Sequence, residues 1–388
     1  MRPATRPNLA ATAGYSLVEM LVAMGVLTMV MGTTLAGLAD VMKGNELVMT
    51  ISSMNNALRA GVDVMIRDLL QAGSGLPASH TVGIPNGAGS VRVRLPGPPN
   101  PANTIFETAA DDDVLPAVIT RNGAGPTIDG VATDVLTVLM ADNSFIDVPV
   151  TLVDDSRVRI ATTMTDGTDV MNLGAGVDRI LPGQLMLISK GSRNTLVQVT
   201  SITLPSRQLN FANGDSLRLN QSGAASGNLR ALNLAEPLDN PATATVNEAF
   251  AGTRISRMRM ITYYLDNLTD PMHPRLVRRI NNGVTPGDEI TFSNNLGTAV
   301  AIDTHNLQFT YDINNGETNP SSVSMTATDY GTGGACKPVA CSETEIRKVN
   351  LRLMSRAPNQ VSGSFTFLEN ALESQVSLRA MAFVDRYR

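Results

Sequence analysis

Apolar residues run from Leu17 to Ala39 with one charged interruption, Glu19. About 20 predominantly apolar residues suffice for a spanning helix, and this stretch is 23 residues long. After Lys43 the apolar positions thin to Leu47, Ile51, Met54, Leu58, Val62, Met65 and Leu69, spaced by three and four. Such spacing lays one apolar stripe along an amphipathic helix. No proline lies between Pro7 and Pro77. The two patterns therefore predict a continuous helix from Tyr15 to Ala72, roughly 87 Å long at 1.5 Å per residue. Gly73, Ser74, Gly75 and Pro77 end it. Asp63 and Arg67 form an i, i+4 pair of favourable orientation on its polar side. Gly25, Gly32, Gly37 and Gly44 weaken the first half, and either admit close packing or mark where it can unwind. The stripe is a coiled-coil seam or a docking face, and a β-rich region that needs cover favours docking.

From Thr81 onward the pattern changes to period two and short apolar runs. Strands are expected at Val91–Leu95, Asp134–Met140, Arg157–Ala161, Gln184–Ser189 and Leu196–Ile202. Further strands are expected at Arg257–Leu265, Arg275–Ile280, Leu307–Ile313, Arg347–Met354 and Val376–Val384. Polar turn clusters such as Gly123–Gly130 and Asn314–Ser322 separate them. The expected fold is α+β: a long N-terminal helix, membrane-spanning in its first half, packed on an antiparallel β-rich head. The expected divisions are a leader over 1–14, a membrane helix over 15–42, a stalk over 43–73 and a head over 74–388. Residues 142–250 are a candidate inserted lobe.

The chain has 388 residues, 43% of them hydrophobic and 17% charged, with net charge −5 and no tryptophan. An acidic chain without a Lys/Arg cluster gives no support to bulk nucleic-acid binding. The two cysteines, Cys336 and Cys341, are too few for a structural zinc site without nearby histidines. Outside the cytoplasm a short disulfide is the better reading against two free thiols, worth about 2 kcal/mol. His80 reads as loop, His273 as a solvated turn residue, and His305 as preceding a strand. No nucleophile elbow, phosphate loop or helical His pair occurs, so no enzyme is expected. No cofactor is required. Calcium is the ion weighed, at Asp111–Asp113, Asp166–Asp169 or Asp312–Glu317, with solvated loops as the simpler reading.

Arg2 and Arg6 precede the span without an acid, which holds that end in the cytoplasm and puts the head outside. The small-residue pair Ala13-Gly14 comes before the apolar run, unlike an ordinary secretory signal. The segment Gly14-Tyr15-Ser16-Leu17-Val18-Glu19-Met20-Leu21 resembles the cleavage and methylation motif of type IV prepilins and type II secretion pseudopilins. The resemblance implies cleavage after Gly14, N-methylation of Tyr15 and an assembly role for Glu19; Tyr15 replaces the commoner phenylalanine. Physically, an intramembrane carboxylate gains by meeting a neighbour's amino terminus, since opposite charges attract strongly in low dielectric. Against this stands a glutamate that merely snorkels near the helix end.

Arg67–Gly73, Thr133–Val138, Pro182–Ile188, Leu196–Thr200, Ile261–Leu265 and Leu276–Arg279 resemble, more loosely, segments of PilW-type minor pilins, which share features with the J-type pseudopilin. Two expected strands follow Cys341, so the cysteines staple an internal loop, unlike the C-terminal loop of many major pilins. The resemblance implies a minor pilin at or near a filament tip that primes assembly. Its implied partners are other pilins, the prepilin peptidase, the inner-membrane assembly platform and lipid. The alternatives are a secretion pseudopilin, and a membrane-tethered β-domain enzyme or carbohydrate binder.

Overall fold

The computed structural model describes residues 14–85, 91–97, 112–160, 180–232, 253–281, 298–360 and 367–383, apart from positions 143, 144, 146, 192, 204, 205, 225, 226, 228, 231, 269 and 332. Within them one helix, α1 (Leu17–Gln71), precedes a sheet-dominated remainder. Ser16 caps α1: its hydroxyl accepts from Val18 N–H (3.2 Å), while Glu19 Oε2 accepts from Ser16 N–H (3.0 Å). This capping box satisfies two of the helix's orphan donors. Inside the apolar stretch, the Thr28 and Thr34 hydroxyls donate to the carbonyls of Met24 and Val30, each at 2.9 Å. No threonine hydroxyl there needs an outside partner. At the far end Gly73, at φ +80°, turns the chain and donates its N–H to Leu139 O (2.8 Å). Left-handed backbone of this kind costs glycine little.

The strands in order are β1 (Thr81–Gly83), β2 (Val114–Pro116), β3 (Val118–Arg121), β4 (Thr127–Ile128), β5 (Val131–Ala132), β6 (Val135–Ala141), β7 (Val148–Asp154), β8 (Arg157–Ile160) and β9 (Leu185–Lys190). They continue with β10 (Arg193–Gln198), β11 (Ser201–Thr203), β12 (Gln208–Asn210), β13 (Thr253–Asp266), β14 (Arg275–Ile280), β15 (Thr298–Ala301), β16 (Thr304–Ile313), β17 (Ile346–Gln360) and β18 (Phe367–Ser377). All pairings are antiparallel.

The large sheet branches at β13. Its first half pairs with β9 and β7, its second half with β6 and β14. The strand thus contributes to all four hydrophobic clusters, two of them through opposite ends. Ile255 joins Val148, Val150, Val158, Ile188 and Leu209, whereas Ile261, Tyr263 and Leu265 join the cluster under α1. A separate sheet, β16-β17-β18, closes the other side of that cluster.

The helix grips the head from Met54 onward. Met54, Leu58, Val62, Met65 and Leu69 are buried, Leu47 is half-buried and Ile51 is exposed. Gly61 marks the closest approach: a Cβ there would sit 3.0 Å from Leu276 Cδ2 and 3.1 Å from Ala301 Cβ. The polar clamp of this interface is Asp68, which sequence reading passed over. Arg278 holds it through Nε to Oδ2 (2.6 Å) and Nη2 to Oδ1 (3.1 Å), and the Tyr263 hydroxyl also donates to Oδ2. Burial first, then the Asp68 charge, pushes the Tyr263 phenol far above its ordinary range, so it remains a donor.

Several expectations are corrected. Val91–Leu95 forms no strand: Val93 and Leu95 are buried, but only Arg94 makes a bridge, donating its N–H to Leu217 O (2.8 Å). Pro96 follows directly and cannot donate to a ladder. Leu196–Ile202 breaks into β10 and β11 because the chain changes partners. Val199 N–H still reaches Gln184 O (2.9 Å), whereas Thr200 N–H reaches Asn210 O (2.8 Å). The last strand is Phe367–Ser377, not Val376–Val384. Beyond it Leu378 and Met381 are buried against the main core, and a 3-10 turn covers Ala380–Phe383. Asp63 and Arg67 form no ion pair; exposed pairs of this type are worth only about 0.5 kcal/mol. Strands β1–β5, β7, β12 and β15 were not anticipated.

Removing the Asp68 carboxylate strands a mostly buried guanidinium. Asp68→Ala should cost the head about 3–5 kcal/mol, read by urea unfolding of the full chain in detergent micelles. Asp63→Ala, on the exposed face, should stay within about 0.5 kcal/mol of the parent. Equal losses would show that the clamp does not hold the helix.

Candidate functional site

The first turn of α1 gathers Gly14, Tyr15, Ser16 and Glu19, the residues singled out in the sequence. Gly14 precedes the helix in an extended, exposed segment, and Tyr15 is 87% exposed. Residues 1–13, including Arg2 and Arg6, lie outside the described residues. The capping box fixes how Glu19 points: one carboxylate oxygen is turned back onto Ser16 N–H, toward the start of the helix. Among the described residues the other oxygen has no partner. A cation arriving at this turn would meet a carboxylate already oriented by its own backbone. The positive end of the helix dipole favours that anion as well.

Below this turn the shaft is bare. An 18-residue window of α1 has mean hydropathy 1.9 and none of it is buried, so by length and composition the helix can cross a membrane. A Cβ added at Gly25, Gly32, Gly37 or Gly44 would meet nothing within 4 Å. Within one chain, then, no packing contact accounts for these glycines, in contrast to Gly61. The exposed apolar surface continues past Ala39 through Val41, Met42, Val48 and Met49. Uncovered apolar surface on this scale marks a site of contact with lipid or protein.

Cys336 and Cys341 are paired as a disulfide, with Cα atoms 5.4 Å apart, in the long connection from β16 to β17. Both are buried in the main cluster. Asp329 organises the loop, accepting from Thr326 N–H and Oγ1 at 2.8 Å each, while its carbonyl accepts from Cys341 N–H (3.0 Å). Glu343 then docks the loop on β3. It accepts from the Thr120 hydroxyl (2.7 Å), the Tyr330 hydroxyl (2.9 Å) and Thr120 N–H. Burial raises the Glu343 carboxyl above its ordinary value even against these donors.

The acidic loops divide. Asp111 and Asp166–Asp169 lie outside the described residues. In Asp312–Glu317 two oxygens are spent on the chain itself: Asn315 Oδ1 accepts from the N–H groups of Glu317, Thr318 and Asn319, and Asp312 Oδ1 from Ser322 N–H. Among the described residues no group of three or more His, Cys, Asp or Glu side chains is placed to hold a metal ion. Two of the three histidines lie where the sequence places them, His80 in a loop and His273 in an exposed turn, and His305 does not. His80 is buried within its loop, and His305 lies inside β16, buried, with Nε2 3.7 Å from Glu369. His273 is exposed but bonded to Asp303 (2.7 Å).

Comparison of the chain with known protein families, curated proteins and solved structures finds no match.

Burial, then Arg347, lowers the His80 pKa, and burial lowers that of His305 against the pull of Glu369. The folded protein therefore binds these two protons less readily than the unfolded chain. Their contribution is present above the ordinary value of about 6.5 and is lost as pH falls through it toward the lowered values. The unfolding temperature of the wild type should drop further between about pH 7.5 and about pH 5.5 than that of a His80→Gln/His305→Gln double variant. His273, raised by Asp303, acts with the opposite sign but is common to both proteins. Parallel pH profiles would contradict the assignment.

Proposed function

We infer that the chain is a non-catalytic filament subunit of the type IV pilin kind, a minor pilin that is held in the inner membrane and helps start assembly. The observation that carries this reading is the bare shaft below Met54 with a half-satisfied glutamate at its mouth. A helix of 55 residues whose buried positions, among the described residues, begin only at Met54 is costly unless something else covers the rest. Lipid covers the apolar span before assembly, and helices of other subunits cover it afterwards.

On this reading the leader stays in the cytoplasm, the peptidase cuts after Gly14, and Tyr15 becomes the methylated terminus. Glu19 then offers its open oxygen to the terminal amine of a neighbouring subunit while keeping its own Ser16 cap. The uncrowded glycines fit such a role, because they leave room for neighbouring helices to approach. The disulfide-stapled head, closed by β17 and β18, stands outside the membrane as the surface met by other pilins and by the assembly platform.

Intact mass and N-terminal sequencing of membrane-extracted protein should find a mature chain that begins at methylated Tyr15. Glu19→Ala should leave membrane insertion unchanged and lower the assembled fraction at least about tenfold, the loss expected when a charge pair in low dielectric is removed. A tethered enzyme or binder would instead retain function with Glu19→Ala. Protein recovered from cell envelopes but not from sheared surface filaments would assign it to a secretion pseudopilus.

A further inference from the structure

The sheet β16-β17-β18 has one closed side and one open side. On the β16 side, Asp134 N–H donates to Leu307 O (3.0 Å) and Asp134 Oδ2 accepts from Phe309 N–H (2.8 Å). Tyr311 and Val323 exchange two main-chain bonds there, at 2.8 and 2.9 Å. On the other side β18 is the last strand, eleven residues long. Its orientation follows from two bonds. Just past the strand, Leu378 N–H donates to Arg347 O (2.9 Å), in register with the ladder to β17. Ala371 N–H turns away from β17 and, among the described residues, is met by the neighbouring Asn370 side chain alone (2.9 Å). Alternate residues of a strand share a direction, so Glu369, Ala371, Glu373, Gln375 and Ser377 aim their main-chain groups outward. Among the described residues no main-chain partner meets them.

Long edges of this kind are commonly protected by lysine, proline or a bulge. Between Phe367 and Ser377 there is no lysine, arginine, proline or glycine. The charges present are Glu369 and Glu373, drawn toward the sheet by His305 (3.7 Å) and Arg352 (3.3 Å). The face turned to α1 is incompletely covered, since Leu368 and Leu372 are only half-buried. A second copy is a poor occupant. Antiparallel self-pairing centred on Ala371 opposes Glu369 to Glu373, and centring on Glu373 opposes it to itself; like charges directly opposed are destabilising. Centring on Leu372 sets Glu373 against Ala371 and Glu369 against Gln375, which supplies no cation to either acid.

We propose that the outer edge of β18 is a strand-addition site for an extended segment of another protein, with apolar residues at alternate positions and lysine or arginine between them. The apolar residues complete the cover of Leu368 and Leu372. The basic ones meet Glu369 and Glu373. Main-chain bonds to the outward groups supply sequence-tolerant affinity. The inference does not rest on the filament reading and holds for any head tethered by α1.

The test uses the full chain in detergent micelles and a fluorescently labelled, acetylated peptide of alternating lysine and valine, followed by anisotropy. Saturable binding is expected. Ala371→Pro should weaken it about tenfold, since proline removes an outward N–H and obstructs the edge while sparing the bonds to β17. Glu373→Lys should weaken it likewise and shift preference toward a glutamate–valine peptide. A thermal unfolding scan of each variant verifies that the head remains folded. The proposal is overturned if the wild type shows no saturable binding, if Ala371→Pro binds as the wild type does, or if the wild type takes both peptides equally. Dimers of the wild type that Ala371→Pro dissociates would assign the edge to a second copy, and would also overturn it.

Discussion

The grip of the last five turns of α1 on the sheets beneath it decides everything else about the molecule. Its apolar part is ordinary burial: Leu58, Val62, Met65 and Leu69 share one cluster with Leu136, Ile261, Leu307, Phe309 and Leu353. What makes it specific is Asp68. An acid at this depth tolerates only a position in which Arg278 and Tyr263 meet it, because a buried charge without a partner is expensive. Sliding the helix by one turn would keep apolar residues near the sheet, but it would strand Asp68 and drive Gly61 away from the narrow gap beside Leu276. The clamp thus fixes the register of the rod, and with it the length of shaft that protrudes.

Strand β13 carries the same logic into the head. One half of the strand lies under the helix-side cluster and the other half enters the cluster built from β7, β8, β9 and β12. Between them the polar seam is held by Asp142, which pairs with Arg257 (2.9 Å) and Arg259 (2.8 Å). A single stiff strand is therefore the shared element of both clusters. The disulfide connection works differently. Its disulfide closes only a short ring, Asp329 organises the connection from within, and its hold on β3 comes from Glu343.

The helix was legible in the sequence to within two residues at each end, because an apolar run passed into a periodic stripe without a proline and Gly73 stood at the end. The central strands β6, β9, β13, β14, β16 and β17 were legible because they hold alternating residues or short apolar runs between turn clusters. The losses share a physical cause. Where a strand changes partners, as at Val199–Thr200, local pattern continues while hydrogen bonding switches. Where a strand is half-covered, as in Phe367–Ser377, alternation is diluted by polar residues on both faces. Asp68 was invisible because the residues that complete it, Tyr263 and Arg278, lie some two hundred positions away. Asp312 and Asn315 look like ion ligands in one dimension, yet in three their oxygens already accept main-chain N–H groups of the chain.

Two carboxylates on one helix show where the chain is finished and where it is not. Asp68 has a guanidinium on both oxygens and a phenol besides, all from its own chain. Glu19 has one backbone N–H on one oxygen and, among the described residues, nothing on the other. The difference is not one of intrinsic chemistry, since each is a carboxylate on a helix that is apolar nearby. It is a difference in whether the rest of the fold returns to meet it. The head folds back over Asp68 and leaves Glu19 some fifty residues away, at the exposed end of the same helix. By the physics that makes Asp68 a clamp, a carboxylate left half-bonded at the mouth of an apolar span draws a cation from outside the chain. In a bilayer the strongest candidate on the proposed reading is the freshly cut amine of another subunit.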